Sequence, residues 1–252
     1  TMSELFNLFI RSIDIDWARI ERNSYLRDIP ALAGVERIDF TRNITFFVGE
    51  NGTGKSTLLE AIAVAYGFNP EGGTLNYRFS TYDDVSELST VMQMTKGFLR
   101  PEGSYFFRAE SFFNVATKAE EYSELSTPLM YGGKSLHRQS HGESFLAFFQ
   151  TFSGRGLYIM DEPEAALSPQ RQLTLFIQIA KMAEQGAQFI IATHSPILLG
   201  IPGAEILSFD DGEMHPCRYE DTESYQVTEM FINNRKALTE RLLSREQDNL
   251  KE

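Results

Sequence analysis

Cysteine occurs once in the 252 residues, at Cys217, so the chain cannot staple itself with an internal disulfide. That fits a reducing compartment. The surrounding "GEMHPCRYE" offers His215 but no second cysteine, which makes a plain reduced thiol the reading for Cys217. Long apolar runs are also missing: nothing approaches the ~20 residues needed to span a bilayer. The opening "TMSELFNLFIRSIDID" lacks the basic region, long apolar stretch and small-residue cleavage site of a secretory signal. The expectation is a cytoplasmic chain without membrane insertion. Basic residues are few, 23 Lys and Arg against 35 Asp and Glu, for a formal charge of −12. Affinity for nucleic acid depends on cations that displace counterions from phosphates. The acidic balance therefore argues against free DNA or RNA binding by this chain alone, while leaving room for an indirect link through a partner. Repeats and low-complexity tracts are absent as well. What is present, 42% hydrophobic and 12% aromatic residues, suits a packed core.

The most legible stretch is "ITFFVGENGTGKSTLLEAIAVAYGF". An apolar run from Ile44 to Val48 breaks at Gly49 into a glycine-rich loop. "KSTLLEAIAVAY" then follows with Leu58, Ala61, Ile62 and Ala65 on one face and Gly67 placed to end it, so the segment reads strand, loop, helix. Gly49 to Ser56 fits G-x-x-x-x-G-K-[ST] with the flanks this motif requires. Its glycines let backbone N–H groups turn inward around phosphate oxygens, and the helix N-terminus adds its positive dipole end. Asn51, Gly52, Thr53, Gly54, Lys55, Ser56 and Thr57 are the expected binding residues for a nucleoside triphosphate. Lys55 reaches the β- and γ-phosphates, and the Ser56 hydroxyl coordinates Mg²⁺.

Downstream, "GLYIM" is a buried strand that runs into Asp161 and Glu162. Ligands of open α/β sheets sit at the C-terminal strand edge. Asp161 is expected to hold Mg²⁺ and Glu162 to polarise an attacking water. Ser168 with Pro169 caps a helix that runs to about Gln185. "AQFIIATHS" gives another apolar strand with His194 at the same edge, where an imidazole could bond the γ-phosphate or the water. "EILSFDDGEMHPC" reads as a hairpin turning at "DDG", and Val227 to about Leu243 as an amphipathic helix. "DDVSELSTVMQM" is read as a short helix, "NPEGGTLNYRF" as turns, Ser104 to Phe107 as strand, and Ser144 to Phe152 as helix. Apolar strands alternating with helices imply an α/β fold, a mostly parallel sheet flanked by helices. The core is placed at about 1–67 and 154–252, with a smaller lobe at about 68–153.

"SLHRQSHGESFLAFF" carries His137 and His141 four apart, but Gly142 weakens a helical metal pair and no third ligand stands near. A serine hydrolase would need a G-x-S-x-G elbow, which the chain lacks. Phe145, Phe148 and Phe149 read as core, and Trp17, Tyr25 and Arg27 as ordinary packing rather than an adenine contact.

In order, "GENGTGKST", "SHGES", "LYIMDE", "AALS" and "THS" resemble the phosphate loop, signature, Asp-Glu strand, D-loop and switch histidine of the ABC-type ATPases. The resemblance covers roughly residues 40 to 200. Its phrasing is similar to the RecF and SMC branch, without that branch's long heptad segment, and closest to its small stand-alone ATPases. It implies an ABC ATPase head: a P-loop core with a β-rich edge and a smaller helical lobe. It further implies a head-to-tail homodimer closing on ATP and Mg²⁺, in which Ser140, Gly142 and Glu143 touch the ATP of the other copy and Ala166 to Ser168 line the seam. Lys55, Glu162 and His194 would then be catalytic. Two departures stand out. His141 occupies the place of a signature glycine, and "FFRAESFF" replaces the glutamine loop, leaving Glu110 or Arg108 as polar candidates. Three functions compete: an ATP hydrolase driving an unknown protein partner in DNA maintenance or defence, the nucleotide-binding subunit of a transporter, and an ATP-gated dimerisation switch with little turnover.

Overall fold

Five strands whose central residues are mostly buried and apolar set the architecture. A computed structural model describes residues 8–75, 86–109, 130–131, 134–135, 141–152 and 154–249. In it, β3 (Ile44–Val48), β6 (Gly103–Arg108), β9 (Gly156–Asp161), β10 (Gln188–Ala192) and β11 (Glu205–Ser208) lie parallel in the order β11-β3-β10-β9-β6. β12 (His215–Pro216) and β4 (Gly73–Thr74) add antiparallel edges.

Successive side chains of a strand face opposite sides, so a strand buried on both faces must be apolar throughout. Ile44, Phe46, Val48, Tyr158, Met160, Phe189 and Ile191 join the core on one face of this sheet. Phe47, Leu157, Ile159, Ile190 and Ala192 join the core on the other. Against the second face packs α2 (Lys55–Tyr66), burying Leu58, Leu59, Ala61, Ile62 and Ala63; Ala65, expected on that face, is only half-buried. That core is closed by a second, antiparallel sheet ordered β2-β1-β5, made of β1 (Ile10–Ile15), β2 (Arg37–Asp39) and β5 (Met92–Lys96). The first face is covered by α4 (His141–Phe149), α5 (Pro169–Glu184) and α6 (Pro196–Leu199). Shorter elements complete the order: α1 (Pro30–Ala33), α3 (Glu87–Thr90), a hairpin of β7 (Met130–Tyr131) with β8 (Lys134–Ser135), and the long α7 (Glu223–Asn249).

One polar residue ties the two sheets. Gln188 is fully buried; its Oε1 accepts the N–H groups of Phe9 and Ile10 at 2.8 and 2.9 Å, and its Nε2 donates to Ile10 O at 2.9 Å. Buried amides must be paired, and here one side chain satisfies three backbone groups at once.

The fold class is as expected, an α/β fold with a large, mostly parallel sheet between helices. Several local expectations need correction. Among the described residues of "DDVSELSTVMQM", Glu87–Thr90 is helical, and Met92–Lys96 is a strand because β1 offers it an unpaired edge. Within "NPEGGTLNYRF", Gly73–Thr74 pairs with β6. α4 starts at His141, three residues before the expected Ser144, and α7 starts at Glu223 rather than Val227. Of the range 68–153, β4, β5, β6 and α4 are built into the two sheets and their covering layer, while 110–129 lie outside the described residues. Phe145 and Phe149 are core as expected, with Phe148 partly buried. Among the described residues no helix is long and apolar enough to cross a membrane.

Candidate functional site

Register brings the polar residues together. Arg108 of β6, Asp161 of β9, Ala192 of β10 and Phe47 of β3 sit level across the sheet, so whatever follows each of them emerges at one edge. The loop after β3 turns through Gly49, Gly52 and Gly54 at φ of 140°, 84° and 99°, a region glycine enters without a Cβ penalty. Gly54 has a second constraint: a Cβ there would lie 2.7 Å from Ile29 Cγ2, against the segment leading into α1. Gly54 is also the N-cap of α2 and contributes no side-chain bond, so no side chain caps the first N–H groups of that helix.

Lys55 is 5% exposed, and its Nζ donates to Gly49 O and Glu50 O at 2.6 and 2.7 Å. Burial pushes its pKa below the ordinary lysine value, with Glu162, Asp210, Asp161 and Glu164 nearby pulling the other way. A cation buried against carbonyls alone is a costly arrangement. Ser56 follows, and its Oγ donates to Asp161 Oδ1 at 3.0 Å. Burial raises the pKa of Asp161, opposed by the Ser56 bond and by Arg108. Thr53 uses its hydroxyl within the loop, on Glu50 O at 2.9 Å, and Thr57 lines a cavity beside Ser56. Asn51 and Gly52 are exposed at the loop tip.

At Glu162 the backbone is left-handed, φ 48° and ψ 55°, an unfavourable conformation for a non-glycine residue. It persists because Glu162 N–H donates to Ala192 O at 2.9 Å, locking the end of β9 to the end of β10. The side chain then lies 3.6 Å, Oε1 to Nε2, from His194. That Nε2 is buried and makes no hydrogen bond, an orphan that calls for a ligand or water. A cavity of about 200 Å³ is lined by Ser56, Arg108, Ala109, Asp161 and Glu162.

Lys55, Ser56, Asp161, Glu162 and His194, chosen from sequence, therefore stand around one sheet edge. Gly142 and Glu143 are in the first turn of α4; Ser140, Glu110 and His137 lie outside the described residues. Trp17 donates its indole N–H to Val35 O, and Arg27 bonds the carbonyls of Trp17, Ile20 and Glu21, so both hold the N-terminal segment together. Tyr25 is exposed at the mouth of the cavity that Thr57 lines.

Three residues were missed or left open by sequence reasoning. Arg108 faces the site with its Nη1 on Glu60 Oε2 at 2.6 Å and Pro70 O at 3.0 Å. Asp210, hidden in the "DDG" turn, accepts Glu50 N–H at 3.0 Å and lines a cavity of about 230 Å³ with Gly49 and His194. Glu164 accepts the His194 N–H at 2.6 Å. The sequence offered Arg108 only as an alternative to Glu110, and the β6 register places it level with Asp161; nothing in the sequence marks Asp210.

The described donors suit a triphosphate and a hard cation. A lysine, an uncapped helix N-terminus and backbone N–H groups face one side; a hydroxyl and a carboxylate in mutual contact face the other.

Family models match the chain in two places, "AAA domain" over residues 25–126 and "AAA domain, putative AbiEii toxin, Type IV TA system" over 144–200. The macrolide export ATP-binding/permease protein MacB of Campylobacter jejuni is 23% identical over 241 residues, covering 84% of this chain and 34% of that protein. The ribose import ATP-binding protein RbsA of Bacillus cereus is 27% identical over 188 residues, covering 66% of this chain and 37% of that one. The chain thus spans little more than a third of these relatives. The SMC head domain from Thermotoga maritima aligns with a TM-score of 0.44 and 14% identity over 84% of this chain and 99% of that one, a likeness too distant to carry an argument.

Proposed function

Since this chain belongs to the ABC/AAA-type ATPases, we propose that it binds ATP at the Gly49–Ser56 loop and hydrolyses it as a head-to-tail homodimer that drives a protein partner. The contact that carries this reading is Ser56 Oγ on Asp161 Oδ1 at 3.0 Å, beside a buried Lys55 bonded only to carbonyls among the described residues. Lys55 exchanges those carbonyls for the β- and γ-phosphates, with Asn51, Gly52, Thr53, Gly54 and Thr57 surrounding the phosphate chain. Ser56 and Asp161 would hold Mg²⁺, which when bound would neutralise charge on the phosphates. Glu162 orients the attacking water and takes its proton, and the free Nε2 of His194 bonds the γ-phosphate or that water. Ser140, Gly142 and Glu143 of a second copy complete the site. Arg108, at the place of the absent glutamine loop, supplies a further positive charge beside Asp161.

The RecF- and SMC-like phrasing of "GENGTGKST" and "DEPEAALSP" favours a partner linked indirectly to nucleic acid. The relatives named for macrolide export and ribose import favour instead the nucleotide-binding domain of a transporter. Copurification separates the two: a membrane subunit retained by the ATP-locked form supports the transporter.

Calorimetric titration of Mg·ATP should give a saturable isotherm with the wild type and none with Lys55→Ala; retained affinity would refute the loop assignment. Glu162→Gln should bind ATP, lose turnover by about 10²–10⁴-fold, and scatter light as a dimer with Mg·ATP. A monomer under those conditions counts against the sandwich.

A further inference from the structure

Three carboxylates lie within four residues, and they do different things. Asp161 meets Ser56, and Glu162 opens to the cavity. Glu164, in the 3₁₀ turn Pro163–Ala166, instead points under the loop that follows β10. Its Oε1 accepts the backbone N–H of His194 at 2.6 Å. We propose that Glu164 is a positioning residue, which holds the backbone of His194 so that the imidazole stands over Glu162.

The neighbours of His194 in that loop are bonded mainly to other elements, and the His194 N–H itself is held from the β9 side by Glu164. Thr193 N–H donates to Phe47 O at 3.2 Å. Ser195 N–H donates to Thr193 Oγ1 at 3.0 Å, and the Ser195 hydroxyl is used on Gln172 and as the cap of α6. From the β9 side, Glu162 N–H reaches Ala192 O and Glu164 reaches His194 N–H. With both bonds made, His194 Nε2 is 3.6 Å from Glu162 Oε1. The second oxygen of Glu164 is buried and makes no hydrogen bond, so the carboxylate earns its place through Oε1 alone. An amide oxygen could accept the same N–H; a methyl group could not. Small misplacements of a positioned group lower rates steeply while barely affecting binding made elsewhere.

The inference rests on the reading of His194 as a phosphate- or water-bonding group, but its test has two independent readouts. The first is the His194 imidazole resonances of the ATP-free protein, assigned by their loss in His194→Ala. They should move in Glu164→Ala and stay in place in Glu164→Gln; unmoved resonances in Glu164→Ala overturn the proposal. The second is turnover. Glu164→Ala should lower kcat by about 10–100-fold, with ATP affinity within about threefold; Glu164→Gln should recover most of the rate. On a His194→Ala background, Glu164→Ala should add little. Full additivity, or a glutamine variant as poor as alanine, overturns it. If Glu164→Ala does not fold, Glu164→Asp, with its carboxylate drawn back by one methylene, should show the same resonance shift and rate loss. A wild type without ATPase activity sinks the hydrolytic reading, and the resonances still decide the role of Glu164.

Discussion

The bodies of β3, β9 and β10 and their C-terminal ends follow opposite rules. Along the bodies almost every side chain is buried and most are apolar; Gln188 is bonded to three backbone groups, and only the Thr45 and Tyr158 hydroxyls are buried without a hydrogen bond among the described residues. Beyond the ends, the backbone turns left-handed at Glu162, a lysine is buried against carbonyls, and His194 Nε2 and Glu164 Oε2 are buried without a hydrogen bond. Native chains keep unsatisfied or strained groups where something else will complete them. The difference teaches that this sheet spends its packing on holding an incomplete edge still.

The largest break in that comparison should come from a body residue. Phe189 is fully buried, stacked on Tyr158 at 5.1 Å and near Phe149 at 6.3 Å. Phe189→Ala should cost about 3–5 kcal/mol of stability, as large-to-small changes in a close-packed core do. Chemical denaturation measures it. The same measurement on Glu162→Gln should show no comparable loss, because that half-exposed side chain stands at the edge, outside the apolar core. An equal loss in the two variants would erase the distinction.

A smaller effect separates the paired polar group from the unpaired ones. Gln188→Ala leaves two backbone N–H groups and a carbonyl buried without partners, a cost on the order of 1–3 kcal/mol. The loss should appear first between the two sheets, as faster amide exchange at Phe9 and Ile10 than across β3. Uniform acceleration over the whole protein would mean that Gln188 is not a local tie.

These two regions also differ in how far the sequence reveals them. Bodies read directly, because double-sided burial forces unbroken apolar runs such as "ITFFV" and "QFIIA". The placement of the glycine-rich loop, Asp161, Glu162 and His194 at one sheet edge reads equally well, because each follows directly on one of those runs. The antiparallel sheet does not. "MQMTK" and "GT" acquire strand geometry only because a neighbour presents an edge, and no local pattern announces the neighbour. Glu164 was in plain view inside "DEPEAALSP", but its task depends on His194, thirty positions on, being folded beneath it. Arg108 and Asp210 depend on register and turn placement in the same way.

The smallest effect tests the edge by pH. Burial is the leading cause that raises the Glu164 pKa above its ordinary 4.5, partly offset by its bond to His194 and reinforced by Glu162. A carboxyl whose pKa is higher folded than unfolded binds its proton more readily when folded. Its contribution to stability is therefore complete below pH 4.5 and is lost as pH rises through the folded value. Above that window the ionised, buried group costs stability that a glutamine at the same place does not incur. Glu164→Gln should accordingly melt at or above the wild type at pH 7 without ATP, and the gap should close as pH falls towards 4.5. Paired thermal melts across that range measure it. A gap that widens on acidification would mean that the charge on Glu164 is stabilising, and that this end of β9 is as well satisfied as the strand body behind it.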